Sequence, residues 1–474
     1  MLKKLRKPRI GILFITTPRF RNLGEGTENG VYYLRKEKEA ARLLDRIDFA
    51  ETVFPGIVYT REDIKTAIKC FIENEIDMVF AHFMSWSDDF AWIRFLRDMP
   101  EIPIFFAGIK RDKLGFDNSF TEDRFVEFLS AGSLVGLLEA CGSATRFNRP
   151  MFYRQNGSID EILDELKHFA EAACMRSYLH QANFGLLASY NEVMWSTYID
   201  PYNLFMKAGP ELRFIGVAEL NEYIEDINET AVKQTMEKIL ETYKSNGEIN
   251  REKMLASVKA SLALEAIARH YQTELLVLND IDPLLLRQVG LRPGFTPCPG
   301  TDDVMVVPEG DLGGGLASFI LGKLSGQPVN YVEPFYVDNE KNVFHVGHAG
   351  PNDYTDSAGK TLISTDTRFA KSGYKHAGAP FAWHVISPGE KTMLHISQSG
   401  SSFKMVVSLI DSLPCEHFLA GYSHGIFKPR FPIDEFVTKL QNIGVTQHYA
   451  VTSGDWLDTL AHLAKIMEFE FHRL

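Results

Sequence analysis

The strongest constraint on how this chain can fold is the alternation in its first third. Short apolar runs at residues 9–16, 51–58, 76–81 and 102–107 are separated by segments of helical spacing, among them 30–45 and a stretch from Thr60 to about Asn74. Thr60 and Asp63 stand three residues apart, the spacing of a capping box that starts a helix. Apolar runs joined by helical segments predict βαβ units and a parallel sheet. In such sheets ligands gather at the carboxyl ends of the strands. Thr16, Thr17 and His82 fall at those ends.

A second alternation follows. Helical spacing at 159–175, 229–245 and 250–269 is interleaved with strand-like runs at 183–187, 212–217 and 275–279. The last of these runs into a polar turn, Asn279-Asp-Ile-Asp-Pro283. The final third changes character. Pro, Gly and Asp rise between 292 and 315, and β-type runs then dominate at 329–337, 343–346, 393–397 and 403–409. Helical pattern returns at 433–440 and 455–470. The expected class is α/β: two Rossmann-like doubly wound α/β domains over 1–170 and 171–320, then a β-rich, barrel-like C-terminal domain over 321–474.

Composition removes several function classes. The chain has 474 residues, with 50 basic against 62 acidic side chains and a net charge of −12. That balance argues against a nucleic-acid partner, which needs clustered Lys and Arg. Its 45% hydrophobic and 24% charged residues are those of a globular protein. No apolar run approaches the roughly 20 residues that span a bilayer, so no membrane partner is expected. The basic start is followed by an apolar run at 10–15, too short for the apolar region of a signal peptide. Cys70, Cys141, Cys174, Cys298 and Cys415 form no CxxC pair, so reduced thiols and a cytoplasmic location are expected.

The chain has no GxGxxG after a strand, no Walker loop and no GxSxG elbow. Gly313, Gly314 and Gly315 lack the Lys-Ser/Thr of a P-loop and read as a tight turn. What remains is a set of acidic and histidine residues at the ends of apolar runs. Glu309 follows Val304-Met-Val-Val-Pro308, and Glu333 interrupts the run 329–337. A carboxylate in a buried strand must be paired, protonated or metal-bound. His345 and His348 share one short run, and in an extended strand they point to opposite faces, so at most one faces a given site. His448 lies in a further strand-like run at 444–452. Two carboxylates and two imidazoles suit Mn²⁺ or another divalent metal. They also supply a base and an acid. The alternative is that Glu309 and Glu333 are edge or salt-bridged residues.

At these residues a family resemblance emerges. Glu309-Gly-Asp-Leu-Gly-Gly-Gly-Leu316 is similar to the glutamate motif of the sugar ketol isomerases of the L-arabinose isomerase and L-fucose isomerase superfamily. The stretch His345-Val-Gly-His-Ala-Gly-Pro-Asn-Asp353 resembles, without a gap, their His-Leu-Gly-Ile-Gly-Gly-Lys-Asp-Asp. Gln447-His-Tyr-Ala-Val-Thr-Ser453 resembles their late His-His-Thr-Val-Phe-Ser, and Glu333 falls where the family has its second carboxylate. The resemblance implies Glu309, Glu333, His345 and His448 as metal ligands, with Glu309 and Glu333 as the catalytic pair. It implies a metal-dependent aldose–ketose isomerase working through a cis-enediol on a small-molecule sugar. It also implies a homo-oligomer, trimer or hexamer, with active sites between subunits.

The departures fall on sugar recognition. Thr16-Thr-Pro-Arg-Phe20 stands where arabinose isomerases have Gly-Ser-Gln-His-Leu-Tyr-Gly. Asn183-Phe184-Gly185 keeps only the Phe-Gly of Arg-Phe-Gly-Asp-Asn-Met, and the late double histidine is reduced to one. The substrate therefore stays open. His82 and Phe184 are the candidate substrate-binding residues, with Trp86, Phe295 and Trp383 as further aromatics able to pack on a sugar face or in a core. The alternatives are a related metal-dependent sugar epimerase or lyase, and a non-catalytic sugar-binding paralogue.

Overall fold

The computed structural model describes residues 3–110, 120–149, 151–300, 304–356 and 360–474. The chain divides into two compact units, Arg6–Ser177 and Met1–Leu5 with Tyr178–Leu474.

The first unit is built on five parallel strands, β1 (Arg9–Ile15), β2 (Glu51–Val53), β3 (Met78–Phe83), β4 (Ile104–Ile109) and β5 (Phe152–Gly157), in the order β2-β1-β3-β4-β5. Strands β1, β3 and β4 are buried almost throughout, as continuous apolar runs covered on both faces should be. β2 is shorter than the expected 51–58 because Pro55 and Gly56 interrupt it, and pairing resumes only at a single bridge between Val58 and Ile15. β5 has no counterpart in the sequence reading. It is an edge strand whose central residues, Tyr153 to Asn156, are polar and alternate in burial. The capping box forms: Thr60 Oγ1 accepts from the Asp63 amide at 3.2 Å, and the Asp63 carboxylate accepts from the Thr60 amide at 2.8 Å.

One helical stretch among the described residues, Glu122–Phe147, is long and apolar enough to cross a membrane by length and composition alone. It consists of two helices, Glu122–Ser130 and Ser133–Phe147. The second covers the sheet of this unit, where its Ala140 carbonyl accepts from Trp92 Nε1 at 3.1 Å.

The same helix carries Glu139, whose Oε2 is buried with no hydrogen-bond partner among the described residues. Burial, with Asp89 and Asp88 nearby, raises its carboxyl to about 7. A carboxyl raised on folding holds its proton longer in the folded state. The stability it lends at low pH is therefore lost as pH rises from the unfolded value, near 4.5, through about 7. The group is partly exposed, which discounts the effect. Glu139→Gln should thus raise stability by about 1 kcal/mol at pH 8 and leave it unchanged at pH 4. Urea unfolding at the two pH values checks this, and equal effects at both would contradict it.

The second unit continues with β6 (Asn183–Leu187), β7 (Glu211–Ile215), β8 (Lys244–Ser245), β9 (Leu275–Leu278) and β10 (Met305–Val307). Four of these make a parallel sheet in the order β10-β9-β6-β7. The chain then adds β11 (Asn330–Asp338), β12 (Val343–His348), β13 (Leu362–Thr365), β14 (Pro380–Trp383), β15 (Gly389–Ser399), β16 (Ser402–Leu413), β17 (Ser423–Pro429), β18 (Tyr449–Ser453) and β19 (Glu470–Arg473). β8, β13 and β14 form a small separate sheet. Six of the others close into an antiparallel barrel, β15-β18-β11-β12-β17-β16, completed by pairing of β16 with β15. β19 pairs parallel to β16 as an addition to the ring. Val332, Phe344, Val346, Met393, Val406 and Phe427 belong to its apolar core. The protein is thus mixed α/β, with two parallel sheets and a closed six-stranded barrel.

The glycine run at 313–315 is not a tight turn. It opens the helix Leu312–Ser325, every residue of which is buried. This helix packs on β9 of the parallel sheet and on β15 and β18 of the barrel. A Cβ at Gly313 would lie 2.4 Å from the Ile396 carbonyl, and one at Gly314 2.4 Å from the Tyr331 ring. The glycines are what allow the helix to approach this closely.

Candidate metal centre

Four side chains converge where the parallel sheet meets the barrel. Glu309 sits in the short loop between β10 and the buried helix. Glu333 lies within β11, paired opposite Gly347 of β12. His348 is the last residue of β12, and His448 immediately precedes β18. The pairing of Val332 with Tyr449 brings Glu333 beside His448. One ligand atom from each of the four lies within 4.8 Å of those from the others.

The four ligand groups stand at ion-pair distances from one another. His448 Nε2 is 3.3 Å from both a Glu309 and a Glu333 oxygen, and His348 Nε2 is 3.6 Å from Glu309 Oε2. Yet Glu309 Oε2, His348 Nε2 and His448 Nε2 are buried without an aligned hydrogen bond among the described residues. Such orphaned atoms are costly unless a ligand satisfies them. Glu309 is 3% exposed, and His348 and His448 are 1% exposed. Glu333 is the open side of the cluster, its side chain 21% exposed. These residues can hold a metal ion.

A second layer fixes the first. Asp311 accepts from His448 Nδ1 at 2.9 Å and from the Tyr331 hydroxyl at 2.7 Å. The same carboxylate caps the buried helix by accepting from the Gly314 amide at 3.0 Å. An imidazole anchored at one nitrogen by a carboxylate presents the other nitrogen in a fixed direction, as metal-ligating histidines do. Glu309 has φ +64°, a left-handed conformation rare outside glycine. Its amide donates to Asp280 Oδ1 at 3.0 Å. Asp280 is held in turn by the buried Arg292, 3.0 Å away, which also pairs with Asp366 at 3.0 Å. A strained loop braced by a buried ion network is a feature of functional sites.

The charges are mutually supporting. Burial would lower the basicity of His448, but Asp311, Glu309 and Glu333 outweigh it and push the imidazole up to about 11. Burial would raise the Glu309 carboxyl, but the His348 and His448 imidazoles hold it well below the ordinary carboxylate range. Arg368 Nη1 adds a further cation 3.9 Å from Glu309 Oε1.

The expected ligand set is corrected at one position. His345 is not part of the cluster; His348 is. A bulge between Pro334 and Tyr336 sets His345 opposite Tyr336, two residues along β12 from Gly347. There its ring contacts Tyr336 and Phe418, with centroids 5.4 and 5.5 Å apart. His82 is also misplaced by the sequence reading. It lies within β3 rather than past it, 1% exposed, with Nδ1 2.9 Å from the Ala107 carbonyl oxygen. Phe184 is a core residue of β6, fully buried against Phe319 at 4.9 Å. Phe295 and Trp383 are buried as well, and Trp86 is half-buried beneath Arg19.

Sequence reasoning missed Asp311, Asp280, Arg292, Asp366 and Arg368. Only Asp311 carried a usable signal, an acidic residue directly before a helix start, which is a helix N-cap pattern. No protein-family model matches this chain, and no curated protein sequence matches it significantly.

Proposed function

We propose that the protein is a cytoplasmic, oligomeric, metal-dependent aldose–ketose isomerase of the arabinose/fucose isomerase type. The observation that carries this reading is the convergence of two carboxylates and two imidazoles with orphaned, buried donor atoms. The β2-β1-β3-β4-β5 order and the second parallel sheet support reading both layers as doubly wound, Rossmann-like domains.

Glu309, Glu333, His348 and His448 would hold the ion, with Mn²⁺ the preferred candidate. When bound, such an ion supplies Lewis-acid polarisation of a carbonyl and a template for two neighbouring sugar oxygens. The chain's own part is proton transfer. One of Glu309 and Glu333 takes the proton from C2 of the aldose, and the other serves the oxygens as the cis-enediol forms. The proton then returns to C1. Glu333, at the open side of the cluster, faces arriving substrate, whereas Glu309 is enclosed. Asp311 keeps His448 oriented throughout.

The test uses protein stripped with EDTA and resupplied with Mn²⁺, incubated with a panel of pentoses, hexoses and deoxyhexoses while ketose is detected. Ketose formation that disappears with EDTA and returns with Mn²⁺ is the expected result. Failure to bind Mn²⁺ stoichiometrically would remove both the site and the function.

A further inference from the structure

The metal centre has a neighbouring cation that the isomerase chemistry leaves unused. Four ionisable side chains stand against Glu309. His348 and His448 are buried, whereas the side chains of Glu333 and Arg368 are 21% and 39% exposed. Arg368 Nη1 is 3.9 Å from Glu309 Oε1, while the two imidazoles meet the other oxygen, Oε2. At that distance the contact is an ion pair without a hydrogen bond. The guanidinium makes no hydrogen bond among the described residues, and only the Arg368 backbone amide does. Its fork of N–H donors is open to a partner arriving from solvent.

The backbone that carries Arg368 is tied to the centre itself. The Arg368 amide donates to Asp366 Oδ1 at 3.2 Å, and Arg292 donates to the same carboxylate at 3.0 Å. Arg292 also donates to Asp280 and to the Ala349 carbonyl, each at 3.0 Å. One buried guanidinium thus anchors the segments next to Glu309, His348 and Arg368. On the other side, Thr367 Oγ1 stands where a Cβ on Gly421 would lie, so this backbone abuts the segment entering β17. Ser423 of β17 pairs with His348.

The surrounding charge favours an anion. Arg368 belongs to the loop 366–379 joining β13 to β14, which also carries the exposed Lys371 and Lys375. The carboxylate in this loop, Asp366, is buried and held by Arg292. The loop therefore presents exposed cations and no exposed carboxylate, in a chain whose net charge is −12. A local excess of this kind attracts anions. Glu309 and Glu333 are offset once a divalent ion is held between them, which leaves Arg368 unopposed by them. A planar guanidinium matches a carboxylate or phosphate through two parallel hydrogen bonds.

We propose that Arg368 binds an anionic group, carboxylate or phosphate, carried by the substrate whose reacting end lies at Glu309 and Glu333; this rests on the isomerase reading of the metal centre. The substrate is then an acidic sugar, and Arg368 is the residue that selects it over a neutral one.

The probes are sorbitol, sorbitol 6-phosphate and gluconate, which have no aldehyde or ketone to isomerise. Each is titrated calorimetrically into the full chain loaded with Mn²⁺. At least one of the two anions should bind more tightly than sorbitol, and which one does so identifies the anionic group. Arg368→Gln should weaken that anion by about tenfold or more, the loss of a charge-assisted pair, and leave sorbitol unchanged. Mn²⁺ affinity should not fall in this variant, because a cation beside a ligand carboxylate has been removed. The proposal is overturned if sorbitol binds as tightly as both anions, if the substitution leaves anion binding unchanged, or if Mn²⁺ affinity falls in step with it. Glucose 6-phosphate, glucuronate and the neutral aldoses are then assayed for ketose formation. Arg368-dependent anion binding with no sugar converted supports the anion site and removes the isomerase reading. Conversion of a neutral aldose with no anion bound removes the anion site and keeps the isomerase.

Discussion

Glu309→Gln is expected to lower kcat for any Mn²⁺-dependent sugar turnover by about 10³-fold or more, roughly 4 kcal/mol of barrier. The substitution keeps the shape of the side chain and removes its charge. It takes away a donor that the buried cluster cannot replace, because Glu309 Oε2 faces both His348 and His448. Mn²⁺ affinity should fall at the same time, which titration against free Mn²⁺ by electron paramagnetic resonance measures directly. The circular dichroism spectrum should not change. A variant that binds Mn²⁺ normally and retains any sugar turnover within tenfold of the native protein would exclude Glu309 from the chemistry.

Asp311→Ala should be strongly destabilising. Its carboxylate serves three partners at once: the His448 ring, the Tyr331 hydroxyl and the first turn of the buried helix. Removing one partner of a buried charge pair costs about 3–5 kcal/mol. At about 2–4 °C per kcal/mol, the melting temperature should fall by about 10 °C. Asp311→Asn separates stability from function. An amide has one acceptor oxygen, so it can keep either the Gly314 cap made by Oδ1 or the Tyr331 bond made by Oδ2, and the melting temperature should drop less than in the alanine variant. It no longer anchors His448 as an anion, so Mn²⁺ affinity should fall by about 10–100-fold. A melting temperature within 2 °C of native for the alanine variant would refute the structural half of this account, and native Mn²⁺ affinity in the asparagine variant the functional half.

Much of the site was legible because an ionisable group inside an apolar run demands an explanation wherever the run is buried. Glu309, Glu333 and His448 all stood out on that ground, and all three are in the cluster. The choice between His345 and His348 was not legible in the same way. Alternation says that only one of the two can face a site but not which. Glu333 pairs opposite Gly347, so alternation alone favours His345, yet His348, the last residue of β12, is the one that lies against Tyr331 and His448. The placement of His82 was off for a local reason: β3 runs on to Phe83, so a residue counted as lying beyond the strand is inside it.

The supporting network was illegible for a different reason. Arg292 reaches Asp280, 12 residues away, and Asp366, 74 residues away. Each looks like an ordinary surface charge in sequence, and only the fold reveals that all three are buried together. The parallel sheets, by contrast, were plain from local pattern, because central strands covered on both faces must be apolar throughout. The polar edge strand β5 lacked that requirement and went unseen.

The closed barrel has a kinetic consequence. Glu333, His348 and His448 belong to, or directly adjoin, three strands that are neighbours in a ring without a free edge. Such a ring has no terminal strand to fray, so the spacing of these three donors is held by strands paired on both sides. Glu309 alone comes from a loop, and a strained one. Exchange of an ion held there would then be expected to need motion of the turn around residues 308–311, whose Glu309 amide is tied to Asp280, rather than of the barrel.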